Sequence, residues 1–98
     1  TSLEMKIWKR ECLARDDYRC FDCGARNGEG KKVTLNVDHI YPFSLFPRLR
    51  FELENGQTVC IECHKVRSSI LMKELNKGLF LGRPLADYGI NKNIYVSN

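Results

Sequence analysis

The chain has 98 residues, the length of one small domain, and 43% of them are hydrophobic, so it can bury only a modest core. It contains no run of the roughly 18 apolar residues that a membrane-spanning helix needs, and its charged N-terminal stretch lacks the apolar segment of a signal peptide. These features exclude a membrane protein and favour a soluble, intracellular one. The formal charge of +4 suits either nucleic-acid binding or an ordinary solvated surface.

The first predicted element is a helix over residues 3–16. Met5, Trp8 and Cys12 follow one another at i, i+3 and i+7, which places them on one face. Cys12 is interpreted as a small buried hydrophobic residue of this face. The chain opens on Thr1 and not on methionine, which indicates a processed chain or a piece of a larger protein.

Four of the five cysteines form two Cys-x-x-Cys pairs, Cys20 with Cys23 and Cys60 with Cys63. Two such pairs supply the four thiolates of a tetrahedral zinc site. Disulfides are the alternative, but an odd number of cysteines without an export signal favours a reducing compartment. We therefore expect one structural Zn²⁺, which would stabilise a chain with so small a core.

The segment between the two pairs carries its own structure. Residues 24–32 contain three glycines and are predicted to be a flexible loop. The next residues, VTLNVD, alternate between apolar and polar side chains, which is the period of a half-buried strand. This strand is predicted to end at Asp38 and His39.

A second strand and a second helix are predicted to follow. Residues 41–54 hold two prolines and four aromatic residues and are expected to form an ordered loop returning to a short strand, with a turn at Asn55-Gly56. The second helix is expected from His64 to Asn76, where Gly78 stops it. The tail from Leu79 to Asn98 has no clear period, which leaves both an extended arm and partial disorder open.

The ordered combination of these motifs resembles the HNH endonucleases, in particular the branch held together by a four-cysteine zinc site. The resemblance covers about Trp8 to Ile70. It rests on Arg15-Asp16-Asp17-Tyr18-Arg19-Cys20, Cys23-Gly24, Asp38-His39-Ile40, Pro42, Asn55 and Cys60-Ile61-Glu62-Cys63-His64.

The resemblance implies an α+β fold, the small ββα-metal or His-Me finger domain, which is treble-clef-like and carries a structural zinc. It implies one HNH nuclease domain over residues 1–98. Within it, residues 1–19 would be an N-terminal helix, residues 20–77 the zinc-clamped core and residues 78–98 a C-terminal extension of unknown role. The expected setting is the cytoplasm of a bacterium or of a phage-infected cell.

The resemblance also implies a mechanism for metal-dependent hydrolysis of DNA, leaving 5′-phosphate and 3′-hydroxyl ends. His39 would be the general base that deprotonates water, and Asn55 would orient His39 and tie the loop, or approach the metal itself. Asp38 and His64 would hold a catalytic divalent ion, which two protein ligands allow to be Mg²⁺, Mn²⁺, Ni²⁺ or Zn²⁺.

Each of these residues also has a simpler interpretation. His39 could be a core histidine, Asp38 a loop cap and Asn55 a turn residue, while His64 could be a surface residue or a zinc ligand. The whole chain could then be a catalytically inactive zinc module that binds DNA or a protein partner, or a treble-clef-like scaffold without a nucleic-acid role.

Basic residues near the motifs are candidate contacts to the DNA backbone, which would give largely sequence-independent affinity. Arg67 lies three residues after His64 on the expected helix, where many relatives have a lysine. A domain of this size has little surface for reading bases, so specificity is expected to come from the tail, a further protein partner or a missing domain. The candidate contacts are Lys9, Arg10, Arg48, Arg50, Lys65 and Arg67.

Overall fold

A computed structural model describes residues 2–90 of the protein. The chain forms two compact units, Thr1–His64 and Lys65–Asn98. The main elements are helix α1 (Leu3–Arg15), strand β1 (Leu35–His39), strand β2 (Gly56–Cys60) and helix α2 (Ile61–Asn76).

Helix α1 confirms the predicted N-terminal helix. Ser2 caps it, because its hydroxyl accepts a hydrogen bond from the backbone N–H of Met5 at 3.1 Å. Trp8 and Cys12 are buried on one face and join Val37 of β1 in a hydrophobic cluster. The predicted stripe is therefore the face that packs on the hairpin.

Strands β1 and β2 form an antiparallel hairpin, in register from Leu35 opposite Cys60 to His39 opposite Gly56. β1 begins two residues later than the alternating pattern predicts. The long connection between the strands includes two short 3₁₀ helices, Pro47–Leu49 and Leu53–Asn55. The predicted turn at Asn55-Gly56 is wrong as a hairpin turn, because Asn55 ends a 3₁₀ helix and Gly56 begins β2 in extended conformation.

Gly56 is required for a different reason, which is close approach to α1. A Cβ at this position would lie 2.5 Å from the sulfur of Cys12 and 2.7 Å from the indole of Trp8. Both atoms belong to buried side chains of a packed cluster, so neither can move freely. The missing side chain lets the start of β2 lie against the helix.

The C-terminal end of α1 is clamped to the same region by Arg15 and Asp16. The guanidinium of Arg15 donates hydrogen bonds to the carbonyl oxygens of Leu53 at 2.7 Å and Gly56 at 2.6 Å, and it pairs with both oxygens of Asp16. Asp16 also accepts from the backbone N–H of Thr58 at 3.0 Å. The hydrogen bonds from Arg15 lower the pKa of Asp16 against the opposing effect of burial, so the carboxylate stays charged at neutral pH.

Helix α2 begins at Ile61, so its predicted start at His64 is wrong by three residues. β2 ends at Cys60 and the helix follows with no connecting residue. Helix starts are predicted from a loop and a capping residue, and this helix has no loop before it. The predicted end at Asn76 is confirmed. Of the predicted apolar positions of α2, Leu75 is buried, whereas Val66 and Ile70 are exposed.

The second unit continues after α2 with a small hairpin, formed by β3 (Leu79–Phe80) and β4 (Arg83–Pro84). In the turn between β3 and β4, the backbone N–H groups of Leu81 and Gly82 donate hydrogen bonds to the carboxylate of Glu74. The part of the predicted irregular tail that the structure describes is therefore ordered. The rest of that tail, residues 91–98, lies outside the described residues.

We predict that Gly56→Ala lowers the free energy of unfolding by about 1 to 3 kcal/mol, because the new methyl group overpacks the cluster against Cys12 and Trp8. Urea unfolding of the zinc-loaded protein measures the change. Asn36→Ala, on the exposed side of β1, is the control and is expected to change stability by less than about 0.5 kcal/mol. Equal stability of Gly56→Ala and the parent would contradict the close approach.

Candidate active site and metal cluster

The four paired cysteines meet at the end of β2. Their sulfur atoms all lie within 4.8 Å of one another. Cys20 follows α1, Cys60 ends β2 and Cys63 lies in the first turn of α2. The backbone N–H of Phe21 donates to the carbonyl oxygen of Thr58 at 2.7 Å, which ties the first pair to β2.

The spacing of these sulfurs fits a tetrahedral metal site. Zinc–sulfur bonds of about 2.3 Å place tetrahedral ligands about 3.8 Å apart. The sulfurs of Cys23 and Cys60 are 3.8 Å apart, and all five cysteines of the chain are free thiols. The cluster is therefore suited to a structural metal such as zinc.

The acid–base properties of the thiols also favour a bound cation. Burial raises the pKa of Cys20, but backbone N–H groups led by that of Cys23 outweigh it and lower the pKa to about 6. The pKa of Cys63 is instead raised, by hydrogen bonds with Cys60 and Cys20 and by the negative charge of Cys20. Because thiolates at this spacing repel one another, the fully ionised set needs a positive ion.

Asp38 and His64 form a second pair beside the cysteine cluster. Asp38 lies in β1 and His64 follows Cys63 in α2, and Oδ1 of Asp38 lies 2.7 Å from Nδ1 of His64. Asp38 is 15% exposed and His64 43% exposed, so the pair opens to solvent on the histidine side.

This distance is compatible with a shared ion. Two ligand atoms at right angles on an ion, with bonds of about 2.1 Å, lie about 3.0 Å apart. Asp38 and His64 need to separate by only a few tenths of an ångström to reach that spacing. Carboxylate and imidazole are ligands that Mn²⁺, Ni²⁺ and Zn²⁺ accept, and Mg²⁺ accepts the carboxylate readily.

His39 is held in a separate set of contacts. Its ring stacks on Trp8, with 4.3 Å between centroids and 16° between planes, and Phe43 approaches edge-on at 6.1 Å. Its Nε2 lies 2.9 Å from the carbonyl oxygen of Arg50. Because a carbonyl only accepts hydrogen bonds, a neutral His39 in this arrangement carries its proton on Nε2 and has its lone pair on Nδ1.

Asn55 ties the loop between the strands. The side chain is buried, accepts a hydrogen bond from the backbone N–H of Tyr41 at 2.7 Å and donates to the carbonyl oxygens of Tyr41 at 3.1 Å and Leu49 at 3.0 Å. The carbonyl oxygen of Arg50, the residue after Leu49, makes the hydrogen-bond contact with His39. Asn55 thus holds the backbone next to the group that His39 contacts.

The predicted basic residues divide between the two units. The guanidinium carbon of Arg50 lies 5.0 Å from the ring centroids of both Phe43 and Phe51. Arg48 is exposed in the same loop, and Lys9 and Arg10 are exposed on α1. Lys65 and Arg67 lie on α2 in the second unit.

Sequence reasoning missed two contributions to this site. Trp8 is predicted on an apolar stripe and at the start of the segment that carries the resemblance, and neither reveals that the ring of His39 packs on it. The carbonyl oxygen of Arg50 has no sequence signal at all, because every residue has one. The Arg15-Asp16 pair belongs to the motifs that carry the resemblance, but its clamp on Leu53 and Gly56 could be found only from the structure.

Comparisons with known proteins agree with this arrangement. The family model described as HNH endonuclease matches residues 20–69. The fold is similar to the crystal structure of the deep-sea thermophilic bacteriophage GVE2 HNH endonuclease with manganese ion, at 28% identity and a TM-score of 0.58. That match covers 69% of this chain and 72% of the phage protein. A search of curated proteins finds no match.

The matched segment spans half of the chain and contains the cysteine cluster, the Asp38–His64 pair, His39 and Asn55. Among residues 2–90, no helix has the length and apolar character needed to cross a bilayer. The chain belongs to the HNH endonuclease family and is a nuclease.

Proposed function

We propose that this nuclease hydrolyses phosphodiester bonds of DNA with His39 as the general base and with a divalent ion on Asp38 and His64. The observation that carries the proposal is the division of the site between neighbouring residues. Asp38 pairs with His64, whereas His39 stacks on Trp8 and contacts the carbonyl of Arg50. A base and a metal-binding pair can thus act on one phosphate from different sides.

The reaction needs one proton acceptor. A water placed at Nδ1 of His39 gives its proton to that nitrogen while its oxygen attacks phosphorus. The bond from phosphorus to the 3′-oxygen breaks, and that oxygen takes a proton from solvent water, which leaves a 3′-hydroxyl and a 5′-phosphate. Asp38 and His64 would hold a divalent ion, which would supply positive charge to neutralise the phosphate and the leaving oxygen.

The two metal-binding groups have different functions in this proposal. Cys20, Cys23, Cys60 and Cys63 hold one structural Zn²⁺, and Asp38 with His64 holds the catalytic ion. The manganese ion of the similar phage structure supports a divalent ion, and solvent access at His64 leaves room for water and phosphate oxygens. Mg²⁺, Mn²⁺, Ni²⁺ and Zn²⁺ are all candidates.

The remaining predicted residues act on the loop and on DNA. Asn55 holds the loop that carries Arg50, so we assign it a positioning role rather than a place on the metal. Arg48, Arg50, Lys9 and Arg10 would contact phosphates. Lys65 and Arg67 would add contacts from α2, and a further protein partner or domain would supply sequence specificity.

An intracellular setting, in a bacterium or a phage-infected cell, is part of the proposal. All five cysteines are free thiols, which suits a reducing compartment. The similarity to a bacteriophage enzyme supports the same setting.

His39→Ala is predicted to lower the rate of plasmid cleavage by about 10² to 10⁴ or more, because no other side chain replaces the proton acceptor. Cleavage is followed in Mg²⁺, Mn²⁺ or Ni²⁺ against an EDTA control, with zinc content as the check on folding. Asn36→Ala is the control variant and should cleave as the parent does. A His39→Ala protein that cleaves at the parent rate would refute the base assignment, and DNA binding by a parent that never cleaves would indicate the inactive zinc module.

Cys60→Ser is predicted to lose the zinc and to unfold or be strongly destabilised, because binding of structural zinc contributes on the order of 10 kcal/mol in small domains. Zinc is measured by atomic emission and folding by circular dichroism. Cys12→Ser is the control, since Cys12 lies outside the cluster and should leave one zinc per chain. A folded, zinc-free Cys60→Ser protein would contradict a structural zinc.

A further inference from the structure

We infer that Trp8 is a positioning residue of the cleavage reaction, because its indole holds both the imidazole of His39 and the backbone segment that orients that imidazole. The inference rests on the proposed role of His39 as the base. Trp8 lies on α1, before the segment that the family model matches. A positioning role for Trp8 gives the N-terminal helix a function in catalysis beyond packing.

The first observation is the stacking of the two rings. The indole of Trp8 and the imidazole of His39 are nearly parallel at a centroid distance of 4.3 Å. Rotation of the imidazole out of this plane would lose the contact. The stack therefore restricts the direction in which Nδ1 of His39 points.

The second observation is a hydrogen bond from the edge of the same indole. Nε1 of Trp8 donates to the carbonyl oxygen of Glu52 at 2.8 Å. Two residues earlier in the same segment, the carbonyl oxygen of Arg50 contacts Nε2 of His39 at 2.9 Å. The face of the Trp8 indole thus fixes the plane of the imidazole. Its N–H holds the backbone segment that contains the Arg50 carbonyl, which contacts the imidazole.

The third observation is that Trp8 itself cannot move easily. It is only 2% exposed, it packs with Cys12 and Val37, and the bare Cα of Gly56 accommodates its ring. A buried indole needs an acceptor for its N–H in any case, but here the acceptor belongs to the segment whose Arg50 carbonyl contacts His39, and His39 itself lies on the indole face. Geometric precision of this kind matters because a displacement of about 1 Å at a reacting group can cost about 10²-fold in rate.

The test uses the zinc-loaded full chain and three variants. Trp8→Leu keeps an apolar side chain but removes the aromatic face and the N–H donor, and Trp8→Phe keeps an aromatic face without the donor. Cys12→Ala is the matched control, because Cys12 lies on the same helix and in the same cluster but is not stacked on His39. All rates are measured at a temperature at which each protein is folded by circular dichroism.

We expect Trp8→Leu to lower kcat for plasmid cleavage by about 10-fold to 10²-fold with little change in the Kd for DNA, since positioning acts on the reaction rather than on binding. Trp8→Phe should fall between Trp8→Leu and the parent. Cys12→Ala should lose stability and keep the parent kcat.

A spectroscopic measurement separates positioning from a general loss of structure. The chain has two histidines, so the carbon-bound imidazole protons of His39 can be resolved by NMR from those of His64. Stacking on the indole shifts the His39 protons upfield. Trp8→Leu should abolish that shift, and Cys12→Ala should preserve it.

The outcomes separate this inference from the proposed function. If His39→Ala cleaves at the parent rate, the base assignment fails, and the inference falls with it. If His39→Ala is inactive while Trp8→Leu loses the upfield shift and keeps the parent kcat, only the inference is overturned. An equal loss of kcat in Cys12→Ala would also overturn it. Should Trp8→Leu not fold, Trp8→Phe decides: a parent kcat with an altered His39 shift contradicts the positioning role.

Discussion

The junction of β2 and α2 is the constraint on which the rest of the site depends. β2 ends at Cys60 and α2 starts at the next residue, so one turn of helix determines where Cys63 and His64 lie. The sulfur cluster joins this turn to the segment after α1. Because His64 follows Cys63 directly, the turn that brings Cys63 to the cluster also brings the imidazole of His64 to Asp38.

His39 is held by packing and by a backbone carbonyl. His39 lies next to Asp38 in β1, yet its contacts come from α1 and from the loop between the strands. Asn55 holds that loop through backbone hydrogen bonds, and the Arg15–Asp16 clamp attaches its end to α1. Two independent supports thus hold the neighbouring β1 residues Asp38 and His39 in different contacts.

Much of this arrangement could be predicted from the sequence because it depends on local periodicity or on motif spacing. The stripe of Trp8 and Cys12 predicts α1, and the two cysteine pairs predict the metal cluster. The prediction of a hairpin turn at Asn55-Gly56 was wrong because a glycine can be required for two different reasons. It can adopt a turn conformation or allow close approach, and only the packing of Cys12 and Trp8 shows which applies.

The contacts that could not be predicted join residues far apart in the chain. Nothing near Trp8 indicates that its ring meets His39, and nothing near Arg50 indicates that its carbonyl is the acceptor. The hairpin after α2 escaped prediction for a related reason, since its strands have two residues each and the carboxylate of Glu74 satisfies its turn. Such short elements have no period to detect.

The central claim is that the cysteine cluster and the Asp38–His64 pair are two metal sites with different functions. Titration of Mn²⁺ into the zinc-loaded protein, followed by electron paramagnetic resonance, tests it most directly when the parent is compared with His64→Ala. We predict one bound Mn²⁺ per chain beside one retained zinc in the parent, and a retained zinc with Mn²⁺ binding weakened by about 10-fold or more in the variant. Equal Mn²⁺ binding by both proteins, or loss of the zinc from His64→Ala, would contradict the account.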